Sequence, residues 1–311
     1  MLAPLEERSF FFPCEGERLL GIITLPAEPS PVGVLIVVGG PQYRVGSHRQ
    51  FVHLARHLAR SGIVCMRFDY RGMGDGSGAL RPFEAIDSDL DAAVKAFLVQ
   101  CPRIQSVVLW GLCDGASAAC FYAAGDPRVR GVVLVNPWVR TEVGQARTFL
   151  RHYYLQRLFS RDFWQHLFSG RIDLHAATRS LLRAIGLAFE GRREVMRAPV
   201  QRSDAHLPLP GRMARRLQRF DGGILVILSG NDYTAKEFCD VRLGSEAWTK
   251  ALDRARTEVI EGADHTFSTQ NWKALVAEIT AAWVTRLHAP NDEQSALEQS
   301  HAPPSQSSEA R

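Results

Sequence analysis

The five residues Gly111-Leu112-Cys113-Asp114-Gly115 follow an apolar run, 107–110, and open a stretch of small residues, 116–124. This is a strand that turns sharply into a helix, and a glycine stands on each side of the turn because a side chain there would collide with the neighbouring strand or helix. Such a turn needs a sheet whose strand ends are open, and it lifts its central residue onto an exposed, strained apex. The apex here is Cys113. A thiol at a helix N-terminus is acidified by the unpaired backbone N–H groups and the positive end of the helix dipole. The carboxylate of Asp114 next to it acts in the opposite direction. On their own, the five residues suit a buried structural cysteine between turn glycines equally well.

Three other strand exits supply the partners that a catalytic thiol needs. Gly39-Gly40-Pro41-Gln42 ends the apolar run 32–38, and a Gly-rich turn there offers a backbone N–H to a developing oxyanion and a wall to the substrate. Pro41 has no N–H, so Gln42 is the expected donor beside the Asp114 amide, with Gly40 and Pro41 lining the substrate. Residues 224–229 read as a buried strand that leaves through Gly230-Asn231-Asp232, which makes Asp232 the candidate acid. A short strand at 257–260 exits through Glu261-Gly262-Ala263-Asp264-His265-Thr266-Phe267, which delivers His265 as the candidate base. Each has a bland alternative: a Gly-Gly turn is usually only a turn, and an Asp after a strand is often a helix N-cap. Together, in the order nucleophile, acid, histidine and each at a strand exit, they read as a Cys113-Asp232-His265 triad.

Strand-like runs at 10–13, 19–24, 32–38, 64–68, 107–110, 131–136, 224–229 and 258–261 alternate with helical patterns at 49–61, 85–101, 115–124, 241–252 and 270–287. That alternation predicts an α/β fold with a mostly parallel sheet covered on both faces. The expected partition is a core in two parts, 1–137 and 221–288, interrupted by a helical lid at 138–220 and followed by a disordered tail at 289–311 rich in Ser, Gln, Pro and Glu. Between Arg140 and Arg219 the insertion carries many arginines, no lysine and several aromatics, Phe149, Tyr153 and Trp164 among them. Arginine with aromatics fits an anionic, partly apolar substrate, with Arg147 and Arg151 as contacts, or an acidic membrane surface. Equally, the aromatics pack the lid and the arginines are a solvated face.

The chain resembles the α/β-hydrolase superfamily over about residues 15–288, through Gly39-Gly40, Asp69-Tyr70-Arg71-Gly72-Met73-Gly74, the Gly111–Gly115 turn, Asn231-Asp232 and Asp264-His265. More narrowly, Gly111-Leu112-Cys113-Asp114-Gly115-Ala116-Ser117-Ala118 and Gly230-Asn231-Asp232-Tyr233-Thr234-Ala235-Lys236-Glu237-Phe238 resemble the type 1 hydrolases associated with the exosortase A system. The resemblance implies an α/β-hydrolase fold with a lid, and an association with protein sorting and polysaccharide export, without naming a substrate. A cysteine at this apex is also similar to the dienelactone hydrolases.

These readings converge on acyl transfer through a cysteinyl thioester, with an ester or thioester carried by a small molecule or an acyl carrier as substrate. Water as acceptor gives hydrolysis and a second substrate gives acyltransfer. Two alternatives compete: a non-catalytic binding member of a membrane-associated sorting assembly, and a lyase or dehalogenase on the same fold. Asp232 and His265 weigh against the first. Against a dehalogenase, Asp114 stands one position past the apex. The six cysteines show no metal-ligand spacing, so neither a zinc site, another metal nor a cofactor is expected. A net charge of +4 and the lack of a phosphate loop give no footing for nucleic acid. The N-terminal residues lack the pattern of a secretory signal and no apolar run is long enough to span a bilayer, so a cytoplasmic protein is expected.

Overall fold

The computed structural model describes residues 5–40, 42–140 and 207–288. Strands β1 (Glu6–Cys14) and β2 (Glu17–Leu25) form a hairpin whose two turn residues, Glu15 and Gly16, both take positive φ, the conformation that matches the twist of paired strands. Next come β3 (Val32–Val37), α1 (Gln50–Arg60), β4 (Cys65–Asp69), α2 (Asp87–Gln100), β5 (Ser106–Leu112), α3 (Asp114–Tyr122) and β6 (Val129–Val135). After the undescribed stretch follow α4 (Leu209–Leu217), β7 (Gly223–Ser229), α5 (Tyr233–Leu243), α6 (Glu246–Ala251), β8 (Arg256–Ile260) and α7 (Gln270–His288). The eight strands form one sheet in the order β1-β2-β4-β3-β5-β6-β7-β8. The pairs β1/β2 and β2/β4 are antiparallel, and the others are parallel.

Strand β3 is buried along its whole length, and β5, β6 and β7 nearly so, which explains why these strands read as continuous apolar runs rather than alternating ones. Trp110 of β5 meets Phe51 of α1 edge to face and donates its indole N–H to Thr280 of α7 at 3.3 Å. Gly33 of β3 pairs with Val107 and lies against the ring of Phe97 in α2. Because successive residues of a strand point to opposite faces, α1 and α7 cover one side of the sheet and α2 the other. Helix α4 packs against α3 and α6 and buries Met213, Ala214 and Leu217, so this helix joins the core.

Strand order reverses at β3, which has β4 on one side and β5 on the other. In open α/β sheets the crevice beyond the carboxyl ends of the strands at such a reversal is where ligands bind. The Gly39-Gly40 turn and the Gly111–Gly115 turn leave the sheet at this point.

One helix differs from its sequence expectation. The pattern at 241–252 is the end of α5 plus a separate α6, and α5 starts at Tyr233, directly after β7. Asp232 caps α5 by accepting the Ala235 N–H at 3.0 Å, and Ser245 restarts the chain as the cap of α6, so two capping side chains set boundaries that apolar spacing does not reveal.

Candidate active site

Cys113 caps α3 with φ 57° and ψ −119°, a backbone conformation rare for a residue with a side chain. Glycines make the turn possible. A methyl on Gly111 would run into the backbone of Gly115, one on Gly115 into the carbonyl of Val37 at the end of β3, and one on Gly39 into the Gly115 amide. The turn is held from below: the Cys113 N–H donates to the Val135 carbonyl at 2.9 Å, and the Cys113 carbonyl accepts from Ala116 N–H at 3.0 Å and Trp138 N–H at 3.4 Å.

The thiol is half-buried and donates to Oδ1 of Asp114 at 3.6 Å. Burial, followed by the negative charges of Asp114 and Asp232, pushes the Cys113 thiol from 9.0 up to about 12, although the Asp114 backbone N–H pulls the other way. Burial and the two carboxylates thus act against the acidifying effect expected of a helix N-terminus and favour the protonated thiol. Burial also raises the Asp114 carboxyl, against hydrogen bonds from Cys113 and from the Gly40 amide.

Asp232 makes both of the contacts its position allowed. Its Oδ2 caps α5 and also lies 2.9 Å from Nδ1 of His265. Burial works to raise the Asp232 carboxyl, but the bond to His265, that ring's charge and the amides of Ala235 and Thr234 outweigh it and hold the group below the usual range. An ionised Asp232 only accepts, so Nδ1 carries a proton, and in the neutral tautomer this selects, Nε2 is the acceptor.

The histidine loop is built by its own side chains. Asp264 accepts the amides of Thr266 at 3.1 Å and Ser268 at 3.0 Å, together with the Ser268 hydroxyl. Asn231 N–H donates to the Ala263 carbonyl at 2.9 Å, and Ser229 Oγ to the Asp264 carbonyl at 2.8 Å. Asn136, fully buried and not singled out by the sequence reading, donates to the His265 carbonyl at 3.0 Å. An Asn-Pro pair at a strand exit was the one available signal.

The loop after β3 is held to the end of β4. Asp69, with no exposed surface, accepts the Arg44 N–H at 2.7 Å and pairs with its guanidinium, which also reaches Asp75 at 2.6 Å. Gln42 turns its side-chain carbonyl inward to accept Ser47 N–H at 3.1 Å and Gln50 Nε2 at 3.4 Å. The structure thus gathers Cys113, Asp114, Gly40, Asp232 and His265 at the ends of β3, β5, β7 and β8. Pro41, Arg147, Arg151 and most of the expected lid lie outside the described residues. At its near edge the Arg140 guanidinium stacks 4.3 Å over the Trp138 ring and its Nε donates to Glu237 at 3.1 Å.

With this geometry, the chain matches the alpha/beta hydrolase family over residues 34–279. The chain belongs to that family. Among solved structures, an esterase from Pyrococcus furiosus superimposes with a TM-score of 0.61 at 14% identity, covering 92% of each chain. A dienelactone hydrolase from Anabaena variabilis gives 0.57 at 15% identity, covering 90% of this chain and 97% of that one. At such identities the likeness is one of fold. In sequence, the chain is similar to the acyltransferase drtE of Aspergillus calidoustus, 27% identical over 33% of this chain and 34% of that protein. A polyketide transferase, grgF, of a Penicillium species is 29% identical over 28% of this chain and 31% of its own. The matches therefore span about a third of these relatives' length. Among the described residues no cluster of His, Cys, Asp and Glu is arranged to hold a metal, and no helix is long and apolar enough to cross a membrane.

Proposed function

We propose that this hydrolase-family member is a cysteine-dependent acyl-transfer enzyme acting on an ester or thioester, with Cys113 as nucleophile, His265 as base and Asp232 as the group that orients it. The observation that carries the reading is a thiol on a strained strand-to-helix apex together with a buried carboxylate 2.9 Å from the histidine Nδ1. With a thiol pushed up to about 12, attack is general-base catalysed: His265 Nε2 takes the proton as Sγ bonds to the carbonyl carbon. The oxyanion is held by the amides of Asp114 and Gln42. As the adduct collapses, the C–O or C–S bond to the leaving group breaks and that group takes the proton from His265. Water or another nucleophile then repeats the sequence in reverse on the acyl-cysteine. Esters and thioesters are favoured over amides, since a thiolate leaves the adduct more readily than an unprotonated amine.

A second acceptor is the favoured variant of this chemistry, because both sequence relatives carry transferase names. The motif around Gly111–Ala118 supports assignment to the exosortase-associated hydrolases of type 1, and the part of 138–220 that precedes α4 is proposed as a lid whose Arg147 and Arg151 favour anionic acyl donors. Intact-mass screening with a panel of acyl esters and thioesters tests the core reading. An acyl increment mapped to Cys113, lost in Cys113→Ala, is the expected result. Turnover that survives Cys113→Ala overturns it. Adding alcohols, amines and thiols then separates transfer from hydrolysis by the product formed.

A further inference from the structure

Every side-chain donor and acceptor of Asn136 is used, and each bond leads towards the ends of the strands that carry the site. Its Oδ1 accepts the Ser229 N–H at 2.8 Å, while Nδ2 donates to Ser229 Oγ at 2.8 Å and to the His265 carbonyl at 3.0 Å. Its backbone N–H donates to Ile227 O at 3.0 Å, and its φ of 43° lies in the left-handed region that asparagine tolerates better than most residues. Ser229 passes the connection on to the carbonyl of Asp264, so Asn136 and Ser229 hold two consecutive carbonyls of the histidine loop.

The residues on either side of Asn136 grip the nucleophile. Val135 O accepts the Cys113 N–H at 2.9 Å, Trp138 N–H reaches Cys113 O at 3.4 Å, and Ser117 Oγ donates to Trp138 O at 2.6 Å. Within the segment 135–138, Val135 and Trp138 therefore bond the Cys113 turn through their main chain, and Asn136 between them bonds the His265 loop through its side chain.

We propose that Asn136 is a positioning residue that sets the distance between the Cys113 thiol and the His265 imidazole. The assignment rests on the catalytic reading above, and it specifies a role that the triad alone does not contain. Asp232 fixes the ring's tautomer and rotation about Nδ1. The backbone that carries the ring is fixed by Asn136. A displacement of about 1 Å at such a contact lowers the rate of the step it serves by about 10²-fold.

Asn136→Asp tests this, because it keeps the shape, the left-handed backbone and the Oδ1 acceptor while removing both N–H donors. The rate of acyl-Cys113 formation from a p-nitrophenyl ester should fall by about 10²-fold, with little change in KM. In a His265→Ala background the same substitution should change that rate less than twofold, since the group it positions is gone. The His265 Nδ1–H resonance, read by proton NMR without any substrate, should shift or broaden. An equal loss in both backgrounds, or an unchanged rate and resonance, overturns the proposal. If circular dichroism shows that Asn136→Asp does not fold, Ser229→Ala, which cuts the connection to Asp264, is read in the same way. A wild-type protein that never acylates Cys113 refutes the catalytic reading instead, and the NMR comparison then decides whether Asn136 holds the histidine.

Discussion

Replacing Asp114 by Asn should make Cys113 more reactive, against the usual expectation that losing an active-site carboxylate weakens a nucleophile. The thiol sits 3.6 Å from Oδ1 of Asp114, and at an effective dielectric of about 20 a full charge at that distance is worth about 4.6 kcal/mol. At about 1.4 kcal/mol per tenfold in the equilibrium, that would more than account for the rise from 9.0 to about 12, of which burial is the largest cause. The bare Coulomb figure is therefore too large, and Asp114 acts beside burial rather than in place of it. About tenfold in thiolate fraction is a fair share. At pH 8 the thiolate fraction then moves from about 10⁻⁴ to about 10⁻³. A less basic thiolate is also a weaker nucleophile, with a Brønsted slope of about 0.45, which leaves a net gain of roughly threefold to fourfold. The assay is exchange with a small neutral disulfide between pH 7 and 11, each cysteine followed by peptide mapping. Cys239, the other half-exposed cysteine among the described residues, serves as the internal reference and should not change. An Asp114→Asn protein whose Cys113 reacts no faster than wild type refutes the electrostatic part. A wild-type Cys113 that ionises below pH 9 refutes the larger claim that burial outweighs the helix terminus.

His265→Ala should lower acyl transfer by about 10²–10⁴-fold with the fold retained, and Asp232→Asn by somewhat less, since Asn still caps α5; steady-state rates with circular dichroism check both. If Asp240→Asn abolishes turnover while Asp232→Asn spares it, the acid is misassigned. Gly115→Ala should cost more than 3 kcal/mol or prevent folding, because its methyl meets the Val37 carbonyl at the end of β3 rather than a side chain that can move; urea titration measures it. Stability should fall with alkali. Cys65, fully buried, is raised by burial from 9.0 to about 12, so its contribution is complete below the unfolded value and is lost between pH 9 and 12, at up to about 1.4 kcal/mol per pH unit. Cys65→Ala should flatten the decline in melting temperature over that range, and an unchanged slope would assign the decline to other groups.

The sequence by itself determined the parts that depend on local chemistry. Buried parallel strands must be apolar throughout, so β3, β5, β6 and β7 were legible as runs, and a strand that turns abruptly into a helix needs glycines, so the Gly111–Gly115 turn was legible as a motif. The order Cys113, Asp232, His265 followed from strand exits alone. Tertiary structure decided what depends on distance. Whether a thiol beside both a helix terminus and a carboxylate is acidified or suppressed turns on burial and on 3.6 Å of separation, and no sequence carries either. Asp232 could be read as a cap or as a catalytic acid, and folding brought His265, 33 positions away in the chain, to the same oxygen that caps α5. Asn136 shows the limit most clearly: its partners lie 93 and 129 positions away, and their meeting is set by the adjacency of β6 and β7, which only the assembled sheet creates.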